Sequence, residues 1–262
     1  MTAAALAWRV EETCLNAWPA LREVLLDGWL LRFSRGLTRR ANSANPLRAE
    51  CGNFDILIAG CEALYRRQGL PTIFRVLSLI EPAVDKRLQA RGYTSEGDSC
   101  VLYGGIDDIE AARDPDVRLL SQPDPEWFAA MAALQNHTIE QAETYQRIVG
   151  QLAIPAAFAA LPIDGDIAAL GYGALHNGLL CYESVITDSH RQRRGYARRI
   201  ITTLAAWAKD QRAEGACLEV EARNAPARAL YETVGLKTEL YRYHYRRDPR
   251  AGLSTGGAVT KL

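Results

Sequence analysis

Apolar positions along the chain recur at two spacings, one typical of helices and the other of half-buried strands. Strand alternation is clearest at Leu218, Val220 and Ala222, whose neighbours are charged. In the first half the pattern, its caps and its turns predict these elements: a helix that ends at Pro19, strands at 28–34 and about 37–44, a helix at 54–68, a strand at 72–79, a helix at Pro82–Ala90 and a strand at about 98–103.

Residues 104–116 interrupt this pattern with glycine, acid and proline and with little apolar content, which predicts a domain boundary. The elements predicted after it are a strand at 117–121, helices at about 125–135 and 140–152, strands at 156–162, 167–175 and 179–187, a helix at about 195–212, a strand at 217–223, a helix at 225–234 and a strand at about 238–246. We therefore predict one domain over 1–110, a second over 116–250 and a disordered tail over 251–262.

The two halves show a faint internal repeat. In each half a helix ends in glycine, a strand follows, and a short helix ends in glycine before a last strand. The repeat covers 61–103 and 205–245, with Gly69 matching Gly215 and Gly92 matching Gly235. A duplicated fold explains this order.

Composition and net charge argue against a disordered chain and against a nucleic-acid-binding protein. The chain has 262 residues, of which 48% are hydrophobic and 24% are charged, so it can bury a core and is not disordered as a whole. Lys+Arg and Asp+Glu each number 31, which gives a net charge of zero. We therefore expect no nucleic-acid partner, and any charge that matters must be local.

Cysteine and histidine spacing gives no sign of a metal site. The six cysteines form no CxxC pair, and the four histidines form no HxxxH pair, so no metal is expected. The apolar surroundings of Cys61, Cys181 and Cys217 predict reduced, buried thiols. The N-terminus lacks the features of a signal peptide, and no apolar run reaches about 18 residues, so we expect a cytoplasmic protein without a membrane partner.

The most informative segment joins a strand to a helix at residues 181–199. Five arginines fall within nine residues that contain no acid: Arg191, Arg193, Arg194, Arg198 and Arg199. Gly195 opens the helix, where the first backbone N–H groups lack internal partners and the helix dipole adds positive potential. This combination favours a phosphate ligand, although the segment has neither a P-loop nor a GxGxxG motif.

Residues 192–197 read QRRGYA and fit the pattern Q/R-x-x-G-x-G/A. Together with the run ARNAPARALYETVGL at 222–236, they resemble the two signatures of the GCN5-related N-acetyltransferases (the GNAT superfamily). The resemblance covers 116–247 and implies a mixed α/β fold, with a mostly antiparallel central sheet flanked by helices. Residues 1–105 resemble a degenerate copy of that fold. Their corresponding loop, 47–53, lacks the motif, so no cofactor is expected in that half.

The resemblance also implies how acetyl-CoA would bind. In this family the strand before the loop separates from its neighbour, and its free backbone groups bind the pantetheine arm. The loop amides hold the pyrophosphate. The residues that match these roles are Val185, Ile186 and Thr187 for the pantetheine arm, Gln192, Arg193, Arg194, Gly195, Tyr196 and Ala197 for the pyrophosphate, and Asn224 for support of the cofactor arm.

The reaction that the resemblance implies is direct attack of a neutral amine on the thioester. It needs a base, hydrogen-bond donors for the developing oxyanion and an acid for the leaving thiolate. Tyr231 matches the family's acid. Glu183, on the strand before the loop, is the best candidate base, and Glu219, Glu221 or a water are the alternatives.

Other interpretations stay open at this point. The chain could be a non-catalytic acyl-CoA sensor, and a nucleic-acid binder that uses the 191–199 arginines is a weaker alternative. The acceptor is a small-molecule or peptide amine that the sequence does not identify. The protein is expected to be a monomer or a homodimer.

Overall fold

The structure is a computed structural model that describes residues 2–249. Its helices are α1 (Ala3–Ala17), α2 (Phe54–Arg67), α3 (Pro82–Ala90), α4 (Pro125–Leu134), α5 (Ile139–Val149), α6 (Tyr196–Asp210) and α7 (Ala225–Thr233). Its strands are β1 (Arg22–Leu26), β2 (Trp29–Phe33), β3 (Ala44–Pro46), β4 (Ile73–Leu77), β5 (Thr94–Gly105), β6 (Arg118–Leu120), β7 (Ala156–Ile163), β8 (Asp166–His176), β9 (Leu179–Thr187), β10 (Gly215–Glu221) and β11 (Thr238–Arg247). The predicted tail, 251–262, lies outside the described residues.

Most predicted elements are confirmed to within a few residues, but the strand predicted over 37–44 is wrong. That segment is a compact loop, and only the short β3 follows it. The cause is Asn42, whose buried side chain accepts hydrogen bonds from the backbone N–H groups of Ser34 (2.7 Å) and Gly36 (3.0 Å). A side chain that satisfies backbone groups in this way replaces the ladder of a hairpin.

The described residues form two compact units, each built from discontinuous segments. The first unit contains 2–8, 20–100 and 241–249, and the second contains 9–19 and 101–240. The predicted domains 1–110 and 116–250 follow the sequence repeat rather than these units, and they stay a prediction. The segment 104–116 lies within the second unit.

In the first unit the strand order is β1-β2-β3-β4-β11, followed by residues 94–100 of β5. Antiparallel pairs join β1 to β2, β2 to β3 and β4 to β11, whereas β3 and β4 run parallel. Three of the aromatic rings in its core meet, since the centroid of Trp29 lies 5.8 Å from that of Phe54 and 5.8 Å from that of Phe74. Such pairs add about 0.5–1.5 kcal/mol each to the free energy of burial.

In the second unit residues 101–105 of β5 lie beside β10, and the order continues as β10-β9-β8-β7-β6. The β6–β7, β7–β8 and β8–β9 pairs are antiparallel, and the β9–β10 pair is parallel. Trp127 anchors the core, since its ring lies 5.3 Å from that of Phe158 and its indole N–H donates to the carbonyl of Ala159 (3.1 Å).

The two units repeat one order of elements. Each has antiparallel strands followed by a single parallel pair, and a helix connects the two strands of that pair, α2 in the first unit and α6 in the second. This mixed, mostly antiparallel architecture confirms the predicted fold class, and the repeated order is what a duplicated fold predicts. The last strand of each sequence repeat belongs at least partly to the other unit. Residues 241–247 of β11 pair within the first unit, and residues 101–105 of β5 lie in the second.

Gly235 fixes the segment that was predicted as a domain boundary. Its φ is +111°, and a Cβ at this position would lie only 2.2 Å from the carbonyl oxygen of Asp108. The next contact is a hydrogen bond from the N–H of Glu110 to the carbonyl of Val234 (2.9 Å). Only glycine allows the backbone of 104–110 to approach the end of α7 this closely.

Two observations bear on predictions about thiols and membranes. All six cysteines are free and buried, which confirms the prediction made for Cys61, Cys181 and Cys217. Within residues 2–249, no helix combines the length and the apolar character needed to cross a bilayer.

Candidate active site

The parallel strands β9 and β10 separate partway along their length. Their Cα pairing begins at Gly215 and ends at Cys217, which lies opposite Cys181. Strand β9 continues to Thr187, which still pairs with Ala169 of β8. We call the gap between 182–187 of β9 and 218–221 of β10 the fork. Backbone groups of β9 that face the fork are outside the β9–β10 ladder, so an extended ligand can pair with them as an added strand.

A β-bulge lies at the start of the fork. Tyr172 of β8 pairs with Glu183, but Leu170 pairs with Ile186, so β9 carries one extra residue. Ser184 has a φ of +54° there, a conformation that non-glycine residues adopt at a cost of order 1–3 kcal/mol. Bulges of this kind redirect neighbouring groups and end regular pairing.

Two neighbours support the bulge. The hydroxyl of Tyr145 donates to that of Ser184 at 2.8 Å, and burial raises the pKa of this tyrosine, so it remains a neutral donor. On β8, Gly171 leaves room for the bulged chain, since a Cβ there would lie 3.0 Å from the Cα of Val185. The bulge is therefore supported by a hydrogen bond from Tyr145 and by the space that Gly171 leaves.

The residues predicted to bind the pantetheine arm follow the bulge. Val185, Ile186 and Thr187 are partly exposed and lie along the fork side by side on β9. The hydroxyl of Thr187 is buried and has no hydrogen-bond partner among the described residues. The structure therefore shows the predicted separation of β9 from β10 beyond Cys181 and Cys217.

The predicted phosphate loop joins β9 to α6. Residues 192–195 are exposed, and Arg193 and Gly195 both adopt left-handed φ values, +62° and +79°. No side chain in the described part of the chain caps α6, so the N–H groups of Tyr196 and Ala197 at its start are available. Left-handed residues beside a helix N-terminus turn successive N–H groups towards one point, where an anion binds.

The structure divides the arginine cluster into two groups. Arg198 forms an ion pair with Glu110 (2.6 Å), and Arg199 bonds Asp114 (2.8 Å). Arg191 donates to a backbone carbonyl, that of Ile163, at 2.8 Å. Acids of the 104–116 segment thus pair with the two arginines that lie within α6, so only part of the arginine cluster stays available for an anion.

Arg193 and Arg194 are the remaining two cations. Both are exposed, and neither forms an ion pair with any residue in 2–249. Both lie within the left-handed turn of the loop, so their charges add to the positive potential at the start of α6.

Glu183 and Tyr231 interact electrostatically across the fork. Glu183 is only 6% exposed, and the thiol of Cys181 donates to its Oε1 at 3.8 Å. Tyr231 lies near the end of α7, and burial together with the charge of Glu183 raises its pKa to about 12. The structure therefore brings the predicted acid and the predicted base into one electrostatic environment.

Sequence analysis missed a second phenol at the fork. Tyr182 is buried, and its hydroxyl has no hydrogen-bond partner within the described residues. Burial raises its pKa, with further contributions from Cys217 and Tyr231. Its place next to Glu183 in the sequence was the only available signal, because a buried tyrosine on a strand is ordinarily a core residue.

The other predicted residues have local partners. Glu221 accepts a hydrogen bond from Arg223 (2.8 Å), whereas Glu219 is partly exposed on β10. The side chain of Asn224 caps α7 by accepting from the N–H of Ala227 (3.2 Å). Asn224 therefore positions the helix that carries Tyr231.

Three cysteines meet where the paired part of β9 and β10 ends. The Sγ atoms of Cys14, Cys181 and Cys217 all lie within 4.8 Å of one another, and that of Cys181 is 3.8 Å from that of Cys14. Hydrogen bonds with Cys14 and Cys181 lower the pKa of Cys217 to about 5. We call this group the thiol cluster. Residues 14, 181 and 217 are too distant in sequence for a spacing rule to have linked them.

Comparisons with known proteins give a family and a curated relative. A family model described as "Probable histone acetyltransferase Rv0428c C-terminal" matches residues 6–246. A curated relative, the "Uncharacterized N-acetyltransferase YobR" of Bacillus subtilis (strain 168), is 23% identical over 243 residues, which cover 91% of this chain and 97% of that protein.

Two solved structures have a similar fold. A GCN5-related N-acetyltransferase from Kribbella flavida matches with a TM-score of 0.68 and 13% identity, over 94% of this chain and 95% of that chain. A tandem GNAT protein from the clavulanic acid biosynthesis pathway matches with a TM-score of 0.62 and 11% identity, over 79% of this chain and 74% of that chain. At these identities the likeness shows the fold alone.

Proposed function

The chain belongs to the GCN5-related N-acetyltransferase superfamily and is an acetyltransferase, and from that premise we propose that it transfers the acetyl group of acetyl-CoA to a primary amine. The observation that carries this proposal is the fork, with a bulge at its start and the exposed 192–197 loop at its end. These features supply one continuous set of backbone donors and acceptors for an extended, doubly phosphorylated ligand.

The residues present fit acetyl-CoA. Val185, Ile186 and Thr187 would hold the pantetheine arm by pairing along the open edge of β9, and the unsatisfied hydroxyl of Thr187 supports this. The loop from Gln192 to Ala197 would hold the pyrophosphate through its N–H groups and through the side chains of Arg193 and Arg194. Asn224 would act by holding the start of α7.

When bound, acetyl-CoA supplies the thioester carbonyl that the amine attacks. Glu183 would accept a proton from the incoming ammonium group, directly or through a water. Its burial favours binding of the substrate at this position, since a carboxylate in a poorly solvated setting attracts a cationic amine strongly. Glu219 and Glu221 stay as alternative bases, although Glu221 already accepts a hydrogen bond from Arg223.

Tyr231 would donate its proton to the leaving thiolate. The raised pKa of Tyr231, about 12, keeps its hydroxyl protonated throughout the physiological range, as an acid must be. The negative charge of Glu183 contributes to that shift, so the two residues are coupled in their protonation.

A non-catalytic acyl-CoA sensor is the second candidate. The observation that favours it is the same pKa of about 12, because so weak an acid transfers its proton less readily than one matched to the thiolate. A sensor would bind acetyl-CoA but release no thiol when a broad panel of amines is added.

The charge at the phosphate loop can be tested by binding. We expect the double variant Arg193→Ala, Arg194→Ala to weaken acetyl-CoA binding at least about tenfold, roughly 1.4 kcal/mol, because two charge-assisted contacts with the pyrophosphate are lost. Isothermal titration calorimetry at two salt concentrations measures this. The matched control is Arg198→Ala, whose guanidinium pairs with Glu110. An equal loss of affinity in the control would contradict the assignment of the loop.

The assignment of Tyr231 as the acid can be tested by comparing variants of two tyrosines, Tyr231 and Tyr182. We expect Tyr231→Phe to lower kcat about 100-fold, with acetyl-CoA affinity changed by less than about twofold, since only proton donation is removed. Tyr182→Phe is the matched control, because it removes a second buried hydroxyl from the same fork. If Tyr182→Phe causes the loss and Tyr231→Phe does not, the acid assignment is wrong.

The pH profile gives a further check on the same residue. Because the active form is the protonated phenol and its pKa is raised to about 12, kcat should not fall between about pH 8 and about pH 10. A decline in kcat with an apparent pKa near 9 would contradict the account.

The base can be tested through the protonation state of the substrate. We expect Glu183→Gln to lower kcat/KM about 100-fold near neutral pH, and we expect the deficit to shrink as pH rises towards about 10, where the free amine is abundant without a base. Glu221→Gln is the control on the neighbouring strand and should retain activity to within about threefold. A deficit that stays constant with pH would argue for a structural role of Glu183.

A further inference from the structure

The thiol cluster joins three separate elements at one point. Cys14 comes from α1, Cys181 from β9 and Cys217 from β10, and each is fully buried. Cys181 and Cys217 are also the last paired positions of the two strands before the fork. The cluster therefore lies where the pairing of β9 and β10 ends, and through Cys181 it contacts Glu183, the proposed base.

The spacing of the sulfur atoms matches that of a thiolate metal site. Three thiolates around one zinc ion, each about 2.3 Å from it, stand about 3.8–4.0 Å apart. The Sγ atoms of Cys14 and Cys181 are 3.8 Å apart, and all three Sγ atoms lie within 4.8 Å of one another. The Sγ atoms would therefore have to move closer by at most about 1 Å, which rotation of the cysteine side chains can supply.

Carboxyl groups lie close to the thiol cluster. The side chains that act electrostatically on Cys217 include the carboxylates of Glu11 and Glu219, and Glu183 accepts a hydrogen bond from Cys181 at 3.8 Å. Glu11 and Glu183 are themselves buried, at 1% and 6% exposure. These carboxyl groups would add favourable interactions with a cation held by the three sulfur atoms.

We propose that Cys14, Cys181 and Cys217 bind one thiophilic d10 metal ion, of which Zn²⁺ and Cu(I) are the biological members. Each thiol that becomes a ligand releases its proton to solvent, and no electron is transferred. The bound ion ties α1 to the last paired positions of β9 and β10. Metal binding by these three thiols does not depend on acetyl transfer, so the proposal stands whether or not the proposed function holds. No metal was expected from the sequence, because positions 14, 181 and 217 form none of the short ligand spacings typical of metal sites.

The site can be tested on the full chain by refolding it under reducing, oxygen-free conditions with Zn²⁺ or with Cu(I), followed by dialysis and metal analysis. We expect about one ion per chain to resist dialysis for at least one of the two metals, and the arm that succeeds identifies the ion. With Cd²⁺ as an optical probe of the divalent arm, a thiolate-to-metal charge-transfer band should appear. Thermal unfolding with the retained metal should shift to higher temperature by mass action.

Matched variants distinguish the cluster from cysteines in general. Cys14→Ser, Cys181→Ser and Cys217→Ser should each reduce metal retention at least about tenfold. Cys61→Ser, which alters a fully buried thiol of the first unit, should leave retention unchanged. Circular dichroism identifies any variant that fails to fold, and the wild-type titration decides the question in that case. Failure of the folded wild-type protein to retain either metal, or equal retention by Cys14→Ser, would overturn the proposal.

Discussion

Backbone N–H and C=O groups left without partners cost free energy, and β9 beyond Cys181 presents such groups to the fork. A parallel neighbour would ordinarily satisfy them, yet β10 pairs only as far as Cys217. The bulge at Ser184 and the small Gly171 opposite it hold the strand in this state. The fold therefore holds the two strands apart. An extended ligand that pairs with β9 is the simplest way to supply hydrogen-bond partners for these backbone groups.

Near the fork, some of the arginines form ion pairs with acids, whereas others keep their positive charge in solvent. Acids of the 104–116 segment bind Arg198 and Arg199, so the body of α6 is neutralised. The loop ahead of α6 keeps Arg193 and Arg194 in solvent, beside N–H groups that no side chain caps within 2–249. A chain of zero net charge thus keeps a local anion site without a general attraction for polyanions.

Sequence reasoning found most elements of the fold because apolar periodicity and glycine caps are local signals. It located the 192–197 loop for the same reason, since a helix start and its preceding turn lie within a few residues of each other. It failed at 37–44, where the side chain of Asn42 competes with strand pairing through contacts that no periodicity records. It also overestimated the arginine cluster, because Glu110 and Asp114 lie more than 80 residues away along the chain. Tyr182 and the thiol cluster were missed for a related reason, as only the folded chain brings them to the fork.

The central claim is that the open edge of β9 is completed by acetyl-CoA, and hydrogen–deuterium exchange tests it most directly. On saturation with acetyl-CoA, amides within 184–187 and at the start of α6 should exchange at least about tenfold more slowly, because they gain hydrogen bonds. Amides of β4, which has strands on both sides, serve as the internal reference and should not change. If binding is demonstrated in the same sample and exchange within 184–187 is unaltered, the fork is not the cofactor site and the account is contradicted.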